Sequence, residues 1–274
     1  MKRIFIVGLA RSGTTLLQSM LGNTNEIFSL PETHFFSKTI PKQDILRVFH
    51  KISIEDKMYV ESFVGNQNKS NLFTEYQKSP RNTNHWVRYL IDTIDNLSYS
   101  EGKEIWIEKT PLHIYYIDLI SKNTENTFFI HTVREPIANI AALYDVSKKY
   151  PDKFRQPSLE ASFKRYIKEL SITEKQINKQ NNIHIYYEDL IHKPENTLRK
   201  LCDFTGVTFK ESMLNHTELT ARITTNDEKW KINNKKNDLK SVDKTRERLT
   251  KEELHWLKRK IAKVNNSILK HYVN

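Results

Sequence analysis

The chain has 274 residues, 38% of them hydrophobic, with six glycines, eight prolines and a formal net charge of +11. That length suits one α/β domain with insertions or two small domains, and the composition is that of a globular chain with a sizeable core. No run of 18 apolar residues occurs, so no membrane span is expected, and the positive charge calls for an anionic ligand such as a nucleotide, nucleic acid, acidic glycan or membrane surface.

Met1-Lys2-Arg3 before the apolar IFIVGLA has the charge order of a leader peptide, but the stretch is short and Arg11 interrupts it. A buried strand is predicted over about 3–8 and a helix over 14–21, with Gly22 as its stop. A short strand over 26–30 leads into Pro31-Glu32-Thr33-His34. Residues 41–100 are polar with broken helical periodicity and read as a helical, acceptor-side insertion. KEIWIEKTP at 103–111 gives a strand ending at Glu108-Lys109, followed by a helix over 112–121. The next strand, 127–131, runs into Val133-Arg134-Glu135-Pro136, where Pro136 suits the first turn of a helix carrying Ile137, Ile140, Ala141 and Tyr144 on one face. A long helix over 159–179, a strand over 183–187 and a helix near 195–205 follow. Cys202, the single cysteine, excludes an internal disulfide, fits a reducing, cytoplasmic setting, and reads as core beside Leu201 and Phe204. Residues 221–248 form a polar, basic segment expected to be mobile, and an amphipathic helix closes the chain over 250–270.

Strands alternating with helices predict an α/β fold, a central parallel sheet with helices on both faces. Ligands bind such sheets beyond the carboxyl ends of the strands. Arg11, Glu32, Lys109 and Arg134 all stand just after strands and are expected to converge there. The basic segment 229–248 holds a single aromatic, Trp230, too few for the interleaved aromatics of a nucleic-acid surface. The ten histidines show no ligand-spaced pair on one helix, so no metal is expected.

The first loop carries the sharpest signal. Gly8 and Gly13 have the spacing of a phosphate-binding loop, but Thr14 stands where nucleotide-hydrolysing loops place a lysine. Such a loop still presents backbone N–H groups and a helix N-terminus to an oxyanion. The nearby cation is Arg11, and strand 127–131 does not end in an aspartate suited to magnesium. This suits a single 5′-phosphate carrying a group that is transferred without metal help, as in sulfuryl transfer from 3′-phosphoadenosine 5′-phosphosulfate. A small-molecule kinase with a divergent loop, or a non-catalytic nucleotide- or polyanion-binding protein, are the competing readings.

At the level of motifs the chain resembles the sulfotransferase superfamily, particularly the bacterial branch related to the tyrosylprotein sulfotransferases. GLARSGTTLL (8–17) resembles the 5′-phosphosulfate loop, LPETHFF (30–36) the segment with the catalytic glutamate, and WIEKTP (106–111) the Lys-x-Pro element. HTVREPIANIAALY (131–144) resembles the 3′-phosphate motif, and YYEDLIHKPENTLRKLCDFTGV (186–207) the family's Tyr-Glu-Asp-Leu strand and helix. The segments stand in family order, and the resemblance implies a single P-loop-like, three-layer domain over 1–274.

The resemblance also implies roles. Arg11 with the N–H groups of Ser12, Gly13, Thr14 and Thr15 would hold the 5′-phosphosulfate, and Lys109 would add a second cation. Glu32, at the spacing from Arg11 at which the resembled enzymes carry their base, would be the general base; capping the helix that follows Pro31 is its other reading. Lys109 is otherwise a strand-end partner of Glu108. His34 is an alternative base or acceptor contact, or a surface histidine. Arg134 would bind the 3′-phosphate as a planar fork. The family's serine eight residues later is Ala142 here, with Asn139, Ser147 or a basic residue of the 221–248 loop as candidate substitutes. Ser241 and Lys244 lie in the segment that covers the nucleotide, Trp230 stacks on adenine or packs in the core, and Tyr187 contacts the nucleotide or is strand core. The implied acceptor is a hydroxyl on a glycan, a peptide tyrosine or a small metabolite, carbohydrate preferred.

Overall fold

The computed structural model describes residues 1–69, 82–154, 156–215, 219–220 and 244–273. Five strands form one sheet: β1 (Lys2–Gly8), β2 (Ile27–Ser29), β3 (Ile105–Lys109), β4 (Thr127–Val133) and β5 (Asn182–Tyr186). Every pairing is parallel and the order is β2-β3-β1-β4-β5. β1 therefore sits at the centre, with Ile6 beside Lys109 on one side and Ile130 on the other. Parallel neighbours require crossovers, and the helices supply them.

In chain order the helices are α1 (Thr14–Leu21), α2 (Phe35–Thr39), α3 (Asp44–Arg47), α4 (Ile54–Gly65), α5 (Thr83–Ser100), α6 (Ile117–Asn123), α7 (Pro136–Lys149), α8 (Pro151–Phe154), α9 (Leu159–Gln176), α10 (Tyr187–His192), α11 (Pro194–Thr205), α12 (Thr245–Arg248), α13 (Lys251–Ile261) and α14 (Lys270–Val273). Side chains alternate across a strand, and β1 shows why both faces are covered. Ile4 and Ile6 join Leu17, Met20, Leu198, Leu201 and Cys202 of α1 and α11 in one buried cluster. Phe5 and Val7 join Phe35, Trp86, Leu90, Ile94 and Trp106 in another. A third cluster packs α7, α9 and α13 around Ile140, Leu170 and Leu257. Cys202 is core, as expected, and burial pushes its thiol up to about 11. No helix among the described residues is long and apolar enough to cross a membrane.

Four elements differ from the sequence reading. Within 41–100 the described residues form α3, α4 and α5, and α5 packs into the core. It buries Trp86, Val87, Leu90, Ile91, Ile94 and Leu97, and its Asp95 accepts from Arg3 of β1 and from the Trp106 indole of β3. The stretch after Lys109 begins as a 3₁₀ turn, Pro111–Tyr116, before α6. β5 ends at Tyr186, so Tyr187 opens α10 rather than lying in the strand. The closing helix stops at Ile261, and beyond it Glu174 of α9 takes the backbone N–H of Ser267 and the Asn266 side chain, while Asn266 Oδ1 accepts from the Ile268 amide.

Candidate active site

The site is built on the carboxyl edge of the sheet. β1 leaves the sheet at Gly8, whose φ of 134° only glycine adopts readily, and an added Cβ there would lie 2.6 Å from the Thr132 carbonyl. Arg11 and Gly13 also have positive φ, 70° and 86°. Ser12 closes the loop: its N–H and hydroxyl both reach Leu9 O, and its hydroxyl also meets Thr132 Oγ1. Ser12 thus acts as a latch, not as one of the open amides of the cradle. α1 starts on Gly13 without a side-chain cap, which leaves the amides of its first turn, at Thr14 and Thr15, facing the loop.

Arg134 follows β4. Its Nη1 donates to Arg11 O at 3.2 Å, and its guanidinium stacks 4.6 Å from the Tyr187 ring centroid. That ring presses on Gly13 so closely that a Cβ there would lie 2.4 Å from it. Tyr187 thus joins the loop to Arg134. Burial, then the charges of Arg134 and Arg248, push the Arg11 guanidinium down to about 10. Arg248 ends α12 and lies 3.6 Å from Asp145 of α7. Arg11 Nε, Arg134 Nε and Asn139 Nδ2 are buried and have no hydrogen-bond partner among the described residues. Ala142 is buried on α7, and the Ser147 hydroxyl is spent on Leu143 O of its own helix, which leaves Asn139 as the α7 candidate beside Arg134.

The second group lies at the ends of β2 and β3. Glu32 meets the Lys109 ammonium through one carboxylate oxygen and His34 Nε2, at 3.1 Å, through the other. Lys109 is 1% exposed and Glu32 14%. Lys109 does not pair with Glu108, because adjacent strand residues point to opposite faces. Glu108 is buried with His113 at 2.9 Å and accepts from Thr33 N and Oγ1 and from Thr110 Oγ1. Burial alone would raise the Glu108 carboxyl; His113 and these hydrogen bonds hold it below the usual range. The network fixes Thr33 on one side, and Tyr59 of α4 fixes it on the other by donating to Thr33 O at 2.9 Å. Glu32 and His34 are the two neighbours of that pinned residue. His34, at φ 52°, occupies the N-cap of α2, which has no side-chain cap, so Glu32 is not the cap of that helix.

Residues 3–211 match the Sulfotransferase family. The chain belongs to the sulfotransferase family. The chain is 28% identical over 137 residues to a putative protein-tyrosine sulfotransferase of Caenorhabditis briggsae, and spans 48% of that relative's length. Its fold resembles the sulfotransferase domain of the Synechococcus PCC 7002 olefin synthase, with a TM-score of 0.62 and 19% identity over 97% of this chain and 96% of that one. It also resembles a mouse sulfotransferase complexed with PAP, with a TM-score of 0.53 and 15% identity over 99% and 88% of the two chains.

Sequence reasoning named Arg11, Thr14, Thr15, Glu32, Lys109, Arg134 and Tyr187, and the fold brings them to this edge in two groups on adjacent strands. Lys244 is half-buried at the N-cap of α12, while Ser241 and Trp230 lie outside the described residues. Glu108 was named only as a strand-end partner of Lys109, and His113, Tyr59 and Arg248 were missed. Of the three missed, Arg248 left a trace, as the end of the densest basic segment.

Proposed function

We propose that this sulfotransferase moves a sulfuryl group from 3′-phosphoadenosine 5′-phosphosulfate to an acceptor hydroxyl, with Glu32 as general base. The observation that carries the reading is the set of buried donors without partners, Arg11 Nε, Arg134 Nε and Asn139 Nδ2, beside a phosphate loop that lacks its lysine. Buried donors left unpaired are costly, and an anion with several acceptor oxygens satisfies them together. The mouse neighbour's complex with PAP is in line with that ligand class. The loop amides and Arg11 would hold the 5′ end, and Arg134, braced by Tyr187, the 3′-phosphate; Lys244 and Ser241 belong to the segment proposed to cover the nucleotide.

The donor supplies an activated sulfuryl group; the chain supplies the rest. Glu32 accepts the proton of the acceptor hydroxyl as that oxygen attacks. Arg11 and Lys109 face the negative charge that grows on the departing phosphate oxygen, where fixed cations and amides act most strongly. Lys109 and His34 meanwhile hold the two Glu32 oxygens in place. These cations make the proposed chemistry independent of metal.

The test is transfer of radiolabelled sulfuryl group to a panel of hydroxyl acceptors. Glu32→Gln should keep cofactor affinity and lose about 10²–10⁴-fold in turnover. Near wild-type turnover in that variant would remove Glu32 from the role of base and move attention to His34.

A further inference from the structure

A second cationic group lies beside the loop and is unused by the transfer reading. Tyr115, in the turn after Lys109, donates its hydroxyl to Glu169 of α9 at 3.1 Å. Glu169 is 1% exposed; it also accepts from Arg165 at 2.8 Å and lies 3.5 Å from the Ala10 amide of the phosphate loop. The Lys42 ammonium stands 3.1 Å from the Tyr115 ring centroid, and that of Lys168 stands 5.6 Å from the same centroid. Arg47 ties the pieces together, donating to the carbonyls of Pro41 at 2.8 Å and of Lys42 and Tyr115 at 3.0 Å each. Lys42 and Lys168 are exposed, and neither has an ion-pair partner among the described residues.

Three cations, Lys42, Lys168 and Arg165, therefore face one carboxylate, Glu169, which is already shared among Arg165, Tyr115 and Ala10. Two ammoniums held on one ring repel each other, and a built excess of positive charge at a reachable surface is what an oxyanion relieves. We propose that Lys42 and Lys168, held over Tyr115, bind an oxyanion carried by the acceptor, so that the acceptor class is a hydroxyl compound bearing a carboxylate, phosphate or sulfate. The word acceptor rests on the sulfuryl-transfer reading; the anion site itself does not.

The placement favours the acceptor over the nucleotide. Lys42 follows α2, the helix that starts beside Glu32 and His34; Tyr115 follows Lys109 and Thr110; Glu169 touches Ala10. The group shares no residue with the Arg11, Arg134 and Tyr187 cluster. Partial desolvation, with Lys168 next, pushes the Lys42 ammonium down to about 8, against the pull of Glu169 and with Arg165 adding to the fall. Lys42 therefore loses its charge as pH rises through about 8, and affinity for an anion should decline over that range.

The experiment has two arms. In the first, protein labelled with ¹³C at lysine Cε and saturated with 3′-phosphoadenosine 5′-phosphate is titrated with inorganic sulfate. The Lys42 and Lys168 resonances, assigned from Lys42→Arg and Lys168→Arg variants, should shift saturably and beyond the effect of sodium chloride at equal ionic strength. The affinity should fall by up to about tenfold between pH 7 and pH 9. Shifts that follow ionic strength alone overturn the site. In the second arm, Lys42→Ala/Lys168→Ala should lower kcat/KM at least about tenfold for anionic hydroxyl acceptors and little for neutral ones, with nucleotide affinity unchanged. Saturable sulfate binding with unchanged kcat/KM would make the site one for a free anion and overturn the acceptor assignment, as would sulfation of neutral hydroxyls only. If the nucleotide fails to bind at all, the transfer reading falls, and the sulfate titration still decides the anion site.

Discussion

Arg134 is proposed to bind the 3′-phosphate, and its surroundings hold it in place for that. Its backbone carbonyl is held by Tyr166, one guanidinium nitrogen by Arg11 O, and its face by Tyr187, while Nε has no partner among the described residues. A planar fork fixed in this way loses little freedom on meeting a phosphate. Arg134→Ala should weaken binding of 3′-phosphoadenosine 5′-phosphate by about 1.5–3 kcal/mol, read by calorimetry, with little loss of folding stability. Unchanged affinity would place the 3′-phosphate elsewhere on the surface. Arg11, Glu32, Lys109 and Arg134 were legible because each follows a strand, and the carboxyl edge of a parallel sheet is where such residues meet. The partners that hold them were not. Glu108 reaches His113 only because a 3₁₀ turn folds back under β3, and Tyr59 reaches Thr33 from a helix 26 positions away. Neither contact leaves a periodic mark in the sequence.

Among the elements, the phosphate loop and α5 carry opposite lessons. The loop was legible because its glycines are obligatory. Gly13 sits at φ 86° against the Tyr187 ring, so Gly13→Ala combines backbone strain with a clash. It should cost about 1–3 kcal/mol of stability and weaken nucleotide binding, since Tyr187 must leave its place under Arg134. Denaturant unfolding and calorimetry read the two effects; a stable variant with full affinity would contradict the packing described. α5 was read as part of a polar insertion because charged and polar residues fill its outer face. Its inner face is nonetheless a full core stripe, tied to the sheet through Asp95. Leu90, fully buried, is the direct probe: Leu90→Ala should cost about 2–5 kcal/mol in denaturant unfolding, where a peripheral helix would cost almost nothing.

At the scale of the whole molecule, the core imposes an acid limit on stability. His131 in β4 is fully buried between Asn182 and Thr173, and burial pushes it down from 6.5 to about 4. The unfolded chain takes up a proton below 6.5 that the folded chain refuses, so stability is whole above that pH and falls as pH drops toward 4, by about 3 kcal/mol. The buried Glu108 carboxyl, held below its usual range, extends the loss at still lower pH. Unfolding free energies between pH 7 and pH 4 should show this slope in the wild-type protein and a shallower one in His131→Gln. The α/β architecture was legible at this scale because alternating strand and helix signals admit few topologies, whereas the strand order and the contacts of α9 with Asn266 and Ser267 join residues far apart in sequence. The central claim, that the loop without a lysine serves a 3′-phosphorylated adenine nucleotide rather than a triphosphate, is tested most directly by calorimetric titration with 3′-phosphoadenosine 5′-phosphate, 5′-AMP and ATP with magnesium. The bisphosphate should bind without magnesium and at least about tenfold more tightly than either of the others, since each charge-assisted phosphate contact is worth more than 1.4 kcal/mol. Equal affinity for 5′-AMP, or tighter, magnesium-dependent binding of ATP, would contradict it.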